Sequence, residues 1–291
     1  LNQTPDLSVS QSTIEAPDGY RLAINLFEPK RPARGAVLIA PAMGTPQSYY
    51  GSFARWLAQN GFITLTFDYR GSGTSLSQPL PGFMADIHTW AGDTGAALAA
   101  LGERAQTLPI ILIGHSLGGQ IVPIVPGHER LAQIITIATG SGYWRDNAPQ
   151  AKWPALFLWL VITPIVLPIF RYFPGKRMKI VGNLPRKVME QWRKWCLNPE
   201  YLVGVEGADV RRRFENLITP IVSISFSDDE LMSDRGIKIM HSFYKNAKCE
   251  MVVVKPQDYG LKRIGHFGFF RPDLGKILWN DLILAKIADA V

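Results

Sequence analysis

The residues of this chain best suited to chemistry begin with Ser116, in the run Pro109-Ile-Ile-Leu-Ile-Gly-His-Ser-Leu-Gly-Gly119. A serine hydroxyl is a weak nucleophile at its own pKa, so it needs a base to take its proton and a carboxylate to orient that base. Five histidines are available. His266, in Arg263-Ile-Gly-His-Phe-Gly-Phe-Phe270, follows the last strand-like segment and precedes the C-terminal helical stretch. From that place an imidazole reaches the carboxyl edge of a parallel sheet. His88, His128 and His241 fall in or beside helical stretches, and His115 adjoins a serine whose hydroxyl turns elsewhere. These four read as structural. The carboxylate is expected in Ser227-Asp228-Asp229-Glu230-Leu231, just after a strand-like run. Asp229 is favoured over Asp228, having the longer reach from the strand end and preceding the apolar Leu231; the other acids read as solvated turn or helix-capping residues. The chemistry would be acyl transfer: Ser116 attacks a carbonyl, His266 moves the proton, and Asp229 accepts His266 Nδ1–H. Such a reaction also needs donors for the oxyanion. The backbone N–H groups of Leu117 and of Met43, in the sharp turn Pro41-Ala42-Met43-Gly44, are assigned that role.

These residues work only if the elements beneath them place them. An apolar, β-branched run up to Ile113 reads as a buried strand. It breaks at Gly114 and passes through Ser116 into a segment able to be helical, the G-x-S-x-G nucleophile elbow. Strand-like and helix-like segments alternate around it. Residues 8–15 and 21–27 flank Asp18-Gly19 as a hairpin; 36–40, 63–67, 110–114, 134–139, 221–226 and 251–254 read as strands. Helices are expected near 50–60, 86–104, 233–246 and 273–290. The pattern predicts an α/β fold, a mostly parallel central sheet with helices on both faces.

The alternation lapses between residues 142 and 216. Trp153 to Phe170 is an uncharged run of 18 residues between Lys152 and Arg171. Its length approaches a membrane span, but Pro154, Pro164 and Pro168 argue against one straight helix. The stretch reads as an inserted helical cap whose apolar side roofs the site, so that 1–141 and 217–291 form the core. Interfacial membrane contact and a spanning helix are the alternatives.

The net charge is +7, and 13 Lys and Arg against 6 Asp and Glu lie between Gly142 and Pro220, so the whole excess belongs to the insert. A face of that kind suits an anionic surface or substrate, including peripheral contact with a membrane. Cys196 and Cys249 form no disulfide framework, and residues 1–6 show no signal-peptide pattern, which together suggest a cytoplasmic location with membrane association as an option. No metal or other cofactor is expected: H-E-x-x-H and Cys/His clusters are absent, and Gly71-x-Gly73 lacks the third glycine of a dinucleotide loop. Arg211-Arg212-Arg213 is too short to argue for nucleic acid.

Taken together, Gly114-His115-Ser116-Leu117-Gly118-Gly119, the turn Asp68-x-Arg70-Gly71-x-Gly73-x-Ser75, the loop at 228–229 and Gly265-His266-Phe267 resemble the α/β-hydrolase fold superfamily over nearly the whole chain. The order Ser, Asp, His is that of the superfamily, and the turn at 68–75 resembles a structural turn without a catalytic role. Where many relatives carry His-Gly, this chain has Pro41-Ala42, so its oxyanion loop is modified. Pro-Ala-Met-Gly followed by Tyr49-Tyr50 resembles a poorly characterised branch of predicted serine hydrolases. The resemblance implies a cofactor-independent serine esterase. The apolar cap favours an apolar acyl group, as in lysophospholipase-like or monoacylglycerol-lipase-like enzymes. An acyltransferase or thioesterase would use the same three residues, and a non-catalytic scaffold would lack one of them.

Overall fold

The structure, a computed structural model, describes residues 7–287. Its strands are β1 (Leu7–Glu15), β2 (Arg21–Pro29), β3 (Gly35–Ala40), β4 (Phe62–Phe67), β5 (Ile110–His115), β6 (Leu131–Ile137), β7 (Tyr172–Pro174), β8 (Asn183–Pro185), β9 (Ile221–Phe226) and β10 (Cys249–Val254). Eight of them form one sheet in the order β1-β2-β4-β3-β5-β6-β9-β10, while β7 and β8 pair separately. Pairings from β4 through to β10 are parallel; only β1 with β2 and β2 with β4 run antiparallel. The expected mostly parallel α/β sheet is therefore present.

Side-chain alternation divides the sheet between two cores. On β3, Val37 and Ile39 face one layer and Ala36, Leu38 and Ala40 the other, all of them buried. Val37 and Ile39 share a cluster with Phe53 and Leu57 of α1 (Gly51–Gln59). Leu38 shares one with Trp90, Leu98 and Leu101 of α2 (Ile87–Ala105). Strands buried on both faces read as continuous apolar runs, which is why they are conspicuous in this sequence.

Boundaries shift where the backbone turns. β6 starts at Leu131 and stops at Ile137, earlier than expected, because Ala138 takes a φ of 51° and redirects the chain. The helical stretch expected at 233–246 is shorter, Asp234–Ser242, and its N-cap Ser233 Oγ accepts from Gly236 N–H. The C-terminal stretch begins as Pro272–Trp279 and continues through a wider turn at Asn280–Leu284 and a short one at Ala285–Ile287. Residues 288–290 of that expectation, and the N-terminal six residues, lie outside the described residues.

The insert occupies the connection between β6 and β9. Its first helix spans Pro149–Phe170 as one 22-residue element that contains all three prolines but is not uniformly α-helical. A π-helical turn at Leu158–Ile162 widens the ladder just before Pro164, where a proline lacks the N–H an α-turn would use. Leu158, Trp159, Thr163 and Leu167 are buried along one stripe, whereas Phe157, Leu160, Ile165 and Ile169 are exposed. The apolar run thus turns inward along one stripe only. The helix Arg186–Leu197 packs beneath it, with Trp159 and Trp192 rings edge to face at 4.8 Å and Arg193 Nε donating to Trp159 C=O.

Candidate active site

β5 delivers Ser116 at the carboxyl edge of the sheet with φ 50° and ψ −113°, a left-handed conformation that a non-glycine residue holds only under strain. The surrounding glycines make the turn possible. A Cβ on Gly114 would lie 2.5 Å from Gly119 N, and one on Gly118 would lie 2.2 Å from Ala40 C=O. The following helix is a single turn, Leu117–Gln120, because the chain passes at once into a 3-10 turn containing Pro123. Ser116 Oγ has no hydrogen-bond partner among the described residues, and the residue is 8% exposed.

His266 and Asp229 are brought together: His266 Nδ1 and Asp229 Oδ2 are 2.8 Å apart, both side chains almost completely buried. The other oxygen of Asp229 accepts the backbone N–H groups of Leu231 and Met232 at 2.8 and 2.9 Å, so the carboxylate is held from behind while it faces the imidazole. Asp228 does not touch the ring. Its carboxylate accepts Ile264 N–H at 2.8 Å and Gly265 N–H at 3.1 Å. Glu230 accepts His266 N–H and pairs with Arg263 at 3.2 Å. Partial burial opposes its charge, but hydrogen bonds from its own backbone N–H, from the His266 N–H and from Arg263 hold its carboxyl below the usual range. Of the two expectations for Asp228 and Glu230, solvated turn residues or helix capping, the first does not hold: both accept N–H groups at the start of the helix Gly265–Gly268, so all three neighbouring acids hold the segment that carries His266.

His115, read from sequence as inert, is part of this arrangement. Its Nε2 meets His266 C=O at 3.1 Å and its Nδ1 meets Tyr50 Oη at 2.9 Å. Tyr50 Oη in turn accepts Ala42 N–H at 2.9 Å. Complete burial pushes the His115 imidazole well below its ordinary pKa. A neutral ring donating from Nε2 and accepting at Nδ1 satisfies every member of the chain. One line of hydrogen bonds therefore runs from the loop 41–44, through Tyr50 and the residue beside Ser116, to the backbone of His266. The only trace of it in the sequence is Tyr49-Tyr50 following the unusual Pro41-Ala42.

The loop 41–44 is further fixed by Tyr69 Oη donating to Pro41 C=O and by Thr45 N–H bonding to Ala42 C=O. Among the described residues, neither Met43 N–H nor Leu117 N–H is donated to a protein acceptor. The turn at 68–75 is structural: Asp68 accepts the N–H groups of Gln47 and Thr74 at 2.8 Å, and Arg70 binds the fully buried Asp93.

The insert touches three of these loops. A Cβ on Gly182 would lie 2.2 Å from Gly44 C=O, so the β7–β8 hairpin meets the loop 41–44 backbone to backbone. Tyr201 Oη donates to Gln120 Oε1 at 3.0 Å, just past the elbow. Ala148 N–H bonds to Leu231 C=O at 2.9 Å, beside Asp229. Among the described residues no group of His, Cys, Asp and Glu could hold a metal ion.

Residues 31–177 match the family described as serine aminopeptidase, S33. The chain is 24% identical over 253 residues to a monoglyceride lipase from Homo sapiens, spanning 84% of this chain and 78% of that one. Among solved structures it resembles a soluble variant of monoglyceride lipase from Saccharomyces cerevisiae, with a TM-score of 0.66, 15% identity, and coverage of 97% of this chain and 96% of the other. A thermostable carboxyl esterase from Bacillus coagulans gives a TM-score of 0.67 at 13% identity, covering 98% and 99%. The structural likenesses are likenesses of fold.

Proposed function

The chain belongs to the serine aminopeptidase S33 family of α/β hydrolases, and from that premise we propose that it is a serine hydrolase cleaving carboxylic esters with an apolar acyl group. The observation that carries this reading is the His266–Asp229 pair at 2.8 Å, on a loop bonded to the residue beside Ser116. In the reaction Ser116 Oγ attacks the ester carbonyl while its proton passes to His266 Nε2. The negative charge on the carbonyl oxygen is met by the undonated N–H groups of Met43 and Leu117. Collapse expels the alcohol, which takes the proton from His266 and leaves an acyl-enzyme. Water, deprotonated by His266, then attacks that ester; the acid departs and Ser116 regains its proton. Asp229 accepts from Nδ1 throughout, fixing the tautomer.

Residues 142–216 act in this reading as a cap. Met43 and Leu117 share one apolar cluster with Leu158, Trp159, Leu167 and Phe173 of the insert. An apolar surround of this kind suits an acyl chain better than a charged peptide terminus. The name monoglyceride lipase on the human relative supports the same choice of ester over amide.

A fluorophosphonate probe should label the wild type and leave Ser116→Ala unlabelled. A series of p-nitrophenyl esters of rising chain length should give an optimum above acetate, and aminoacyl p-nitroanilides should be poor substrates. No labelling, or turnover of the anilides at rates equal to the esters, would overturn the reading.

A further inference from the structure

We propose that the outer face of the helix Pro149–Phe170 docks on an anionic phospholipid membrane, the helix lying in the plane of the interface. Trp153, Phe157, Leu160, Val161, Ile165 and Ile169 are all exposed, from 38% to 71%. Their spacing puts them on one side of the helix. The three internal prolines lie on that side too, so it carries no hydrophilic side chain between Trp153 and Ile169. A continuous apolar strip of this length is not an ordinary feature of a surface facing water alone.

Charge identifies the occupant. From Arg171 to Lys187 the chain carries Arg171, Lys176, Arg177, Lys179, Arg186 and Lys187, all exposed, and no acidic residue. Arg177 lies over the Phe170 ring at 5.9 Å, so this collar adjoins the end of the strip. A groove of about 360 Å³ between Phe83, Met84, Arg171, Arg186 and Lys187 opens in the collar, with Glu190 its one carboxylate, paired to Arg186. Apolar side chains beside a cationic rim match acyl chains beneath anionic headgroups. A second copy of this chain fits poorly, because a two-fold contact through the strip brings like-charged collars toward one another.

Geometry decides between lying on the membrane and crossing it. The inward stripe is committed to the helix Arg186–Leu197 through Trp159–Trp192 and Arg193. Crossing would strip those partners away. Each internal proline also deprives a carbonyl one turn earlier of its α-helical donor, which water and headgroups can replace at an interface but hydrocarbon cannot. The inference stands on this surface alone and does not depend on the reaction assigned to Ser116.

The test uses the full chain and sedimentation with vesicles of phosphatidylcholine, with or without phosphatidylglycerol. Binding to the anionic vesicles should exceed binding to neutral ones by about tenfold or more and should weaken with salt. Replacing Phe157, Leu160, Ile165 and Ile169 together by Ser should lower it by at least about tenfold. Replacing Arg171, Lys176, Lys179 and Lys187 together by Gln should lower it on the order of a hundredfold. Both variants change exposed positions, so their melting temperatures should stay close to that of the wild type. Alkaline carbonate should release the bound protein. Absence of binding to anionic vesicles, binding unaffected by either variant, or retention in carbonate would each overturn the proposal. So would a dimer in solution that the serine variant dissociates.

Discussion

The loop that carries His266 and the helix Pro149–Phe170 are built on opposite terms. Around His266, the ring and backbone N–H and C=O are each matched to a named group: Asp229, Glu230 and His115. Along the helix the contacts are mostly apolar and on one side only, the Arg193 bond to Trp159 C=O being a directional exception, and beneath it Trp159 Nε1 and Thr163 Oγ1 are buried with no partner among the described residues. Directional bonds fail when a donor moves by a fraction of an ångström, whereas apolar packing slides at small cost. In the proposed reaction the chemistry would thus sit on the part held by directional bonds, and the proposed cap on the part held mostly by apolar packing.

The largest effects should come from breaking the loop. Asp229→Asn should lower kcat on the order of 10⁴-fold by presenting an N–H where the imidazole needs an acceptor. Asp228→Asn keeps an acceptor for Ile264 N–H and touches no ring atom, so its loss should be about tenfold or less. Comparable losses in both variants, measured on the same soluble ester, would show that the two carboxylates are not divided between orienting the ring and holding the loop.

A second comparison sets the insert directly against the core. In Gly182→Ala the new methyl would sit 2.2 Å from Gly44 C=O, so either the β7–β8 hairpin or the loop 41–44 must yield. Displacing the loop would cost the oxyanion donor proposed at Met43, expected to lower kcat by about 10²-fold with a smaller change in KM. Displacing the hairpin instead would open the site and leave kcat near the wild-type value. Gly92→Ala, on a helix where an added Cβ meets nothing within 4 Å, is the control and should change neither constant.

How much of this was legible in sequence follows from the range of the interactions. Ser116 is marked by Gly114, which must stay small against Gly119 a few residues on, and by Gly118, which must stay small against Ala40 of the neighbouring strand; their fixed spacing around the serine leaves a motif. The buried strands are marked by apolar runs, since both faces are covered. Asp229 could be preferred over Asp228 from its place in the loop, but the duties of Asp228 and Glu230 depend on a segment 36 residues further on. The line through Tyr50 and His115 joins positions 65 and 151 residues apart, and a tyrosine or histidine has no periodicity to betray such a role. Within the insert, composition revealed an apolar run and a basic excess. Which stripe packs inward depends on the π-helical turn at Leu158–Ile162, which no residue type announces.

The smallest expected effect lies at another tie between core and insert. Glu206 of the insert accepts from Gln191 and Trp195 and faces His88 of α2 at 2.6 Å. Burial opposes its charge, yet these bonds hold its carboxyl down at about 2. Donating to Glu206 raises His88 above its ordinary 6.5. A base whose folded pKa is raised stabilises fully below its unfolded value and loses that contribution as pH rises through the folded one. The carboxylate contribution runs the other way, present above the ordinary 4.5 and lost on acidification toward 2. The tie is therefore strongest between those limits, from about 4.5 to about 6.5. His88 is 44% exposed along its side chain, so solvent screens the pair. His88→Gln should lower the melting temperature by roughly 1–2 °C near pH 5.5, with the difference closing as pH rises through the raised His88 value. A pH-independent difference would assign the tie to packing of the ring rather than to its charge, and would place the His88 contact with the apolar contacts of the insert rather than with the directional bonds around His266.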